Sequence, residues 1–426
     1  MRWKNMKAKS QKIFLIIIAV LLISPSSFAT NGYFFHGNGV KAQGNAGASI
    51  AQFQDALTIA NNPAGLSWIG DRVDVGVSLF SPERHVEIIG NTAGANGHYD
   101  GNARKYFLLP ELGLNYQVND QVAVGFAIYG NGGMNTDYKQ NPFAVFGNTG
   151  RAGVNLSQVF LSPAVSWQYA DHQSIGIAAN FLYQTFEAKG LNGFSNYSAS
   201  GENLSHRGSD LSTGIGARIG WAGHFFDGHL TLGLNYSSKI DADPFEKYKG
   251  LFAEVGNFDV PENYGIGVAV KITPKWTLAT DIQRINYSKV KSVGNQFNIH
   301  NLVAGNVFGT ADGPGFGWKD IYVYKLGVSY QAYPNLILRA GYSHNNQPID
   351  KHQTFLNILA PGVIQDHFSL GTTWNVDQHQ ELSIAYTHAL EKEVKGQKSI
   401  PASFGGGEAN IKMNQHILSL AYGYKF

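Results

Sequence analysis

Four cations stand in runs of alternating residues: Arg218, Lys271, Lys325 and Arg339. Each falls on the face that carries mostly Gly, Ala and Ser rather than the face that carries Leu, Ile, Val and Tyr. A charged donor on such a face can hold an anionic headgroup while an apolar channel holds the rest of a ligand. Arg339 and Lys325 fall on neighbouring runs and could share one carboxylate. They could equally pair with carboxylates such as Asp55 or Asp281, and the sequence leaves both readings open. Covalent chemistry has no comparable candidates. There is no Gly-x-Ser-x-Gly elbow and no His-Glu-x-x-His helix, and the 14 histidines are scattered near run ends. With no cysteine, neither a disulfide framework nor a thiolate metal site can form. No catalytic residue, metal or cofactor is expected. A net charge of +2 carries no nucleic-acid signature.

The elements that would position those cations are strands. The last run puts His416, Leu418, Leu420, Tyr422, Tyr424 and Phe426 on one face and Ser419, Ala421, Gly423 and Lys425 on the other. Runs at 230–237, 264–271 and 322–330 alternate in the same way. In a soluble sandwich the second face would carry many charges. Here it is small, as suits a membrane barrel with its bulky face toward lipid and its small face toward a lumen. Charged residues make up 15% of the chain, against about 25% in an average soluble domain. About fourteen such runs, from 72–80 and 103–118 to 379–391 and 412–426, agree with the even strand number of these barrels. Tight turns such as Asn119-Asp120 and Thr273-Pro274 alternate with long loops such as 189–210 and 392–411. That asymmetry implies short periplasmic turns, long outer loops and both chain ends on the periplasmic side. The Gly run Gly130, Gly132, Gly133 closes the third run and signals a bulge, or simply the start of a loop. The loop 240–259 carries Phe245, Tyr248, Leu251, Phe252 and Phe258. They would form either an exposed apolar landing surface or a packed loop.

The chain opens differently. Arg2, Lys4, Lys7, Lys9 and Lys12 precede an apolar run at 13–23 and the step Ser27-Phe28-Ala29. This is a leader cleaved after Ala29, and its apolar run is too short to span a membrane. Residues 30–71 do not alternate. Their first half is Gly-rich, residues 46–60 have room for a short helix, and Pro63 would end it. Ahead of a barrel, such a segment is either a plug in the lumen or an ordinary N-terminal arm.

The residues from Gly44 to Leu66, with Asp55 and then Asn62-Pro63-Ala64-Gly65-Leu66, resemble the N-terminal hatch of the FadL/TodX family. Gly317-Trp318-Lys319-Asp320 and the terminal Tyr424-Lys425-Phe426 are similar to that family too. The resemblance implies an all-β fold: a transmembrane antiparallel β-barrel of about fourteen strands at 72–426, with residues 30–71 as a hatch inside the lumen. It implies a monomer in the outer membrane of a Gram-negative bacterium, passing long-chain fatty acids or other hydrophobic molecules without an energy source. Asp55, Asn62, Pro63 and Ala64 would then be hatch residues. Arg218, Lys325, Arg339, Phe245 and Phe252 would contact ligand, and Gly130, Gly132 and Gly133 would mark a lateral opening toward membrane lipid. Phe426 would be read by the barrel assembly machinery. Uptake of aromatic hydrocarbons, a surface adhesin or receptor, and an unplugged porin remain the alternatives.

Overall fold

The computed structural model describes residues 31–426, and the leader expected over 1–29 lies outside them. Alternation of large and small residues builds a single antiparallel sheet. Its strands are β1 Arg72–Ile89, β2 Gly97–Asp100, β3 Phe107–Gln117, β4 Val122–Asn135, β5 Gly153–Ala170, β6 Gln173–Lys189, β7 Asp210–Phe225, β8 Leu230–Ser237, β9 Asn263–Thr273, β10 Trp276–Ile285, β11 Ile321–Tyr333, β12 Leu336–Asn345, β13 Asp366–Asn375, β14 Gln380–Val394 and β15 Glu408–Lys425. Each wall strand pairs with the next. β15 pairs back along the whole of β1, from Arg72 opposite Lys425 to Ile89 opposite Glu408. β2 is a short flap on the outer half of β1, so the closed ring has 14 strands. The expected run at 72–80 covers only the first half of β1. The sequence reading missed β2, and the expected strand at 275–291 stops at Ile285.

The alternation falls as expected. Val75, Val77, Leu79, Leu418, Leu420 and Tyr422 are exposed on the outer wall, while Ser78 and Ser419 are buried inside it. Outward aromatics form two belts. Trp167, Trp276, Trp374 and Tyr422 lie toward the short turns, and Tyr236, Tyr264, Tyr322, Tyr342 and Tyr386 toward the long loops. Amphipathic rings collect in this way at the two faces of a bilayer. Both ends of the ring sit on the short-turn side, where the Phe426 amide donates to the Asp71 carbonyl at 3.1 Å.

Residues 31–69 lie within this ring. A one-turn helix at Val40–Gly44 packs on β12, β13, β14 and β15. The turn at Ala56–Ala60 packs on β1, β3, β4 and β5, and the turn at Pro63–Trp68 packs on β4, β5, β6 and β7. Touching strands on opposite sides of a closed wall requires the segment to cross the interior. Within the expected 46–60 only the 3-10 turn Ala56–Ala60 forms, while the α-helical turn lies earlier, and Pro63 both follows the end of the first turn and opens the next. The Asn62 side chain caps that turn by accepting from the Ala64 amide at 3.1 Å, and Pro at the first position forfeits no hydrogen bond.

The small inward face turns out to be the seat of this segment. Gly327 and Gly341 are register partners on β11 and β12, and a methyl group on either would collide with Asn45. Gly176, Gly220 and Gly233 stand in the same relation to Pro63, Asn62 and Ile50. Backbone therefore lies against backbone around much of the ring, an approach open only to glycine. Gly341→Val should lift residues 45–46 off the wall at a cost of about 1–3 kcal/mol, as overpacking does. Trypsin should then cut the folded protein after Lys41, which is buried in the parent; unchanged protection would show that the contact is dispensable.

Candidate functional site

Inward carboxylates hold the segment by its amides. Glu111 on β3 accepts from the Gly39 and Val40 amides, both at 3.1 Å. Asp74 on β1 accepts from Ala56 at 2.8 Å. Asp281 on β10 accepts from Ser49 at 2.7 Å and Ile50 at 3.1 Å. Neutral groups complete the seat: Ser166 and Ser174 donate to the Ala64 carbonyl, and Asn115 donates to that of Leu66. Charge is concentrated at the periplasmic end. Glu381 on β14 is shared by Lys41, Arg72 and Lys425, and Arg72 also forks onto Asp74 at 2.7 and 2.8 Å. Asp55 caps the Ala56–Ala60 turn by accepting from the Leu57 amide. Burial, with Asp74 adding to it, pushes the Asp55 carboxyl up to about 6, while Lys41 and Arg72 oppose the rise. Glu111, Asp74 and Glu381 were absent from the residues singled out in the sequence. The signal that picked out the inward cations, a charge on the small face of a run, applies to them equally.

The cations are distributed differently from the expectation. Arg339 donates to Gln54 at 2.9 Å and to Thr373 at 2.7 Å, near the segment's periplasmic side. Lys325 lies four register steps away, with Asn45 packed between the two on Gly327 and Gly341. The pair therefore cannot share one carboxylate. Lys325 instead lines a polar cavity of about 40 Å³ together with Arg218, Asn131, Asn235, Asn263 and Gln283. The partners recorded for these two are neutral oxygens: Ser237 at 2.7 Å and Tyr129 at 3.3 Å for Arg218, and the Gly47 carbonyl at 3.4 Å for Lys325. Asp281 faces Lys325 in register, yet its recorded hydrogen bonds come from the segment's amides. Lys271 is exposed at the short-turn end. Lys319 and Asp320 pair with Asp350 and Arg284 rather than with each other.

The glycine run falls at a break in the wall. β4 bulges against β5 between Gly130 and Gly132. On its other side β4 pairs with β3 only as far as Ile128 opposite Leu112. Beyond that point residues 107–111 of β3 pair with β1 alone, and residues 129–135 of β4 pair with β5. Pro110, which lacks an amide hydrogen, stands where the two strands have parted. The free edge of β4 is met by the start of the described chain. The Phe35 amide donates to Asn131 at 3.0 Å, the Gly133 amide donates to Tyr33 at 2.9 Å, and Phe34 bridges Gly132. A side chain at Gly132 would strike the Tyr33 carbonyl. The Tyr287 hydroxyl, from the loop after β10, accepts from the Tyr33 amide at 3.2 Å and donates to the Asn31 carbonyl.

Phe245 and Phe252 do not form an exposed landing surface. Both are buried, packed on Phe186 with centroids 5.6 and 4.6 Å away. The outer loops bury their aromatics in one cluster that caps the barrel. Within that cap Phe252, Phe143, Phe194, Phe308, Phe316 and Leu359 line an apolar cavity of about 40 Å³.

A closed 14-strand barrel crossed by its N-terminal segment, with a parted seam between β3 and β4 and a greasy outer cap, defines an outer-membrane channel. Residues 22–426 match the family described as outer membrane protein transport protein (OMPP1/FadL/TodX), and the chain belongs to that family. It is similar to a putative outer membrane protein of Neisseria meningitidis serogroup B, at 24% identity over 96% of this chain and 98% of the relative. It is also similar to the long-chain fatty acid transport protein of Escherichia coli K12, at 22% identity over 89% of this chain and 92% of the relative. The toluene transporter TodX of P. putida shares the fold, with a TM-score of 0.67, 16% identity, and coverage of 92% of this chain and 99% of that one. Fold and family together place the protein in the outer membrane as a multi-pass barrel.

Removing one partner of a buried ion pair leaves an uncompensated charge, at about 3–5 kcal/mol. Glu381→Gln leaves the buried Lys41 without its carboxylate and takes one of two carboxylates from Arg72, which keeps Asp74, and should approach that loss in urea unfolding of the detergent-solubilised barrel. Lys41→Met should cost less, because Glu381 keeps Arg72 and Lys425. Equal losses in the two variants would mean that Glu381 is not the hub of the network.

Proposed function

We propose that the protein is a passive channel for long-chain fatty acids or similarly hydrophobic molecules. In this reading residues 30–71 act as its hatch, and ligand leaves sideways into the membrane between β3 and β4. The observation that carries it is the parted seam above Leu112 and Ile128, backed from inside by residues 31–35. A ligand would enter at the aromatic cavity under the loops, lined by Phe252 with Phe245 packed behind it. It would displace residues 31–35 and pass out by the opening that Gly130, Gly132 and Gly133 border. The only work asked of the protein is burial of apolar surface, with no covalent step. Asp55, Asn62, Pro63 and Ala64 fix the path of the hatch by capping two turns and by bonding to the wall. The chain works as a monomer in contact with outer-membrane lipid, and Phe426 presents the last strand to the barrel assembly machinery.

Two experiments test this reading. Deleting residues 37–60 should leave a heat-modifiable barrel, because wall strands satisfy each other's hydrogen bonds. In planar bilayers that barrel should conduct ions where the parent does not. A folded deletion variant that conducts no more than the parent would show that the segment is not a plug.

The second experiment concerns substrate class. The cavity shared by Arg218 and Lys325 favours ligands that carry a carboxylate. Arg218→Met combined with Lys325→Met should lower oleic acid uptake by about tenfold or more, as losing a charge-assisted contact does, and leave toluene entry unchanged. Equal loss of both would assign these cations to hatch support. Loss of neither would leave neutral hydrocarbons as the favoured substrates, for which the apolar loop cavity suffices.

A further inference from the structure

The parted seam has a floor, two sides and a roof, and the roof is built around one side chain. Its floor is the Leu112–Ile128 pair, and its sides are the outer part of β3 and residues 129–135 of β4. At the top, residues 101–103 cross from β2 toward β3 and run beside Asp137: the Asp137 amide donates to Gly101 at 3.0 Å, and the Ala103 amide donates to Asp137 at 3.1 Å. Arg84, from β1, lies under this crossing and is fully buried. Its Nε donates to Asn102 at 3.2 Å, one Nη donates to the carbonyl and side chain of Asn135 at 3.1 and 3.2 Å, and the other donates to the Arg104 carbonyl at 2.6 Å. All four of these bonds end on neutral oxygens. A guanidinium buried among neutral acceptors carries a desolvation cost that an apolar residue of the same length would avoid. Its planar fork, however, is the one side chain that can tie β1, the crossing segment and the end of β4 at a single point. Behind it lies an apolar void of about 10 Å³ lined by Phe80, Met134 and Trp318 as well as by Arg84 itself.

We propose that Arg84 is the crossbar of the opening: it fixes the distance between β1 and the end of β4, and with it the size of the molecule that can pass beneath. This rests on lateral release as the exit route. Arg84 is a positioning residue, not a ligand contact, so its removal changes which molecules pass before it changes whether any pass. A flexible single chain threads a low opening whatever the height of its roof. A rigid polycyclic group does not.

The test compares uptake of oleic acid with that of a fatty acid bearing a terminal pyrene, in cells lacking their own long-chain uptake. Arg84→Met cuts the tie between β1 and β4, whereas Asn135→Ala removes its side-chain half and leaves the bond to the Asn135 carbonyl; heat-modifiable migration reports folding of each. In Arg84→Met the ratio of pyrene acid to oleic acid uptake should rise by about tenfold, the scale on which an apolar constriction discriminates size, with a smaller rise in Asn135→Ala. Arg84→Lys, with a point charge in place of the fork, should fall between Arg84→Met and the parent. An unchanged ratio, a parallel fall of both uptakes, or failure of every variant to fold would overturn the crossbar and leave Arg84 a structural residue. Lateral release is tested apart from this. The chain has no native cysteine, so Leu108→Cys with Gly130→Cys can be joined across the opening by a bifunctional thiol reagent. If the joined protein transports oleic acid as before, lateral release fails. If joining blocks transport while the Arg84 ratio stays flat, the crossbar alone fails.

Discussion

A strand edge in a membrane must give its amides and carbonyls to another strand, because lipid offers them nothing. That constraint closes β15 onto β1 along all 18 residues of β1. It also makes the break between β3 and β4 a place where the wall must be explained. The free edge of β4 is taken by residues 33–35, and that of β3, residues 107–111, includes Pro110, which has one group fewer to satisfy. The edge is therefore closed by a segment that belongs to the interior and not to the wall. A wall strand leaves only by unzipping the barrel. An interior segment held by a few backbone bonds and Tyr287 can leave while the ring stays shut.

The same economy governs the interior. Small inward residues were read as leaving space for a passage, and in the structure that space is filled by backbone. Gly327, Gly341 and Gly233 let the N-terminal segment lie directly on the wall, and Glu111, Asp74 and Asp281 hold it by its amides. A carboxylate that accepts two amides is a strong but narrow anchor. It fixes the chain where it is and offers little to any other path. Such contacts explain a defined path for the segment better than bulk packing would, since apolar packing alone tolerates shifts in register.

The barrel was legible because its signal repeats: alternation recurs in every wall strand and needs only local sequence. The alternating loop lengths and the bulge at Gly130–Gly132 were legible for the same reason. What failed to show is what depends on two distant stretches meeting. Lys325 was paired with Arg339 because their strands adjoin, but register sets them four steps apart and Asn45 separates them. Arg218 joins Lys325 only because the hatch leaves a cavity between β7 and β11. Whether Phe245 and Phe252 lie exposed or packed stayed open in the sequence because composition cannot say which loops cover one another. Pro63 was read as a stop, and the Ala56–Ala60 turn does end before it, but Asn62 also makes it a start, a capping choice that the dipeptide does not reveal.

The interior is also graded along its axis. Glu381, Lys41, Arg72 and Asp74 cluster at the periplasmic end, whereas the aromatic core that contains Phe186, Phe252 and Trp318 fills the outer half. Had the Glu381 network stood in the outer half, an apolar ligand on the proposed route would have had to pass its desolvated ions, at a cost of several kcal/mol for each unpaired charge. At the periplasmic end the network ties the segment to the wall away from the aromatic core. The seam opens in that outer half, above Leu112 and Ile128 and level with residues 33–35. On the proposed route an apolar molecule leaves past residues 33–35, which close the seam through backbone bonds and Tyr287 and stand apart from the Glu381 network that ties the rest of the segment to the wall.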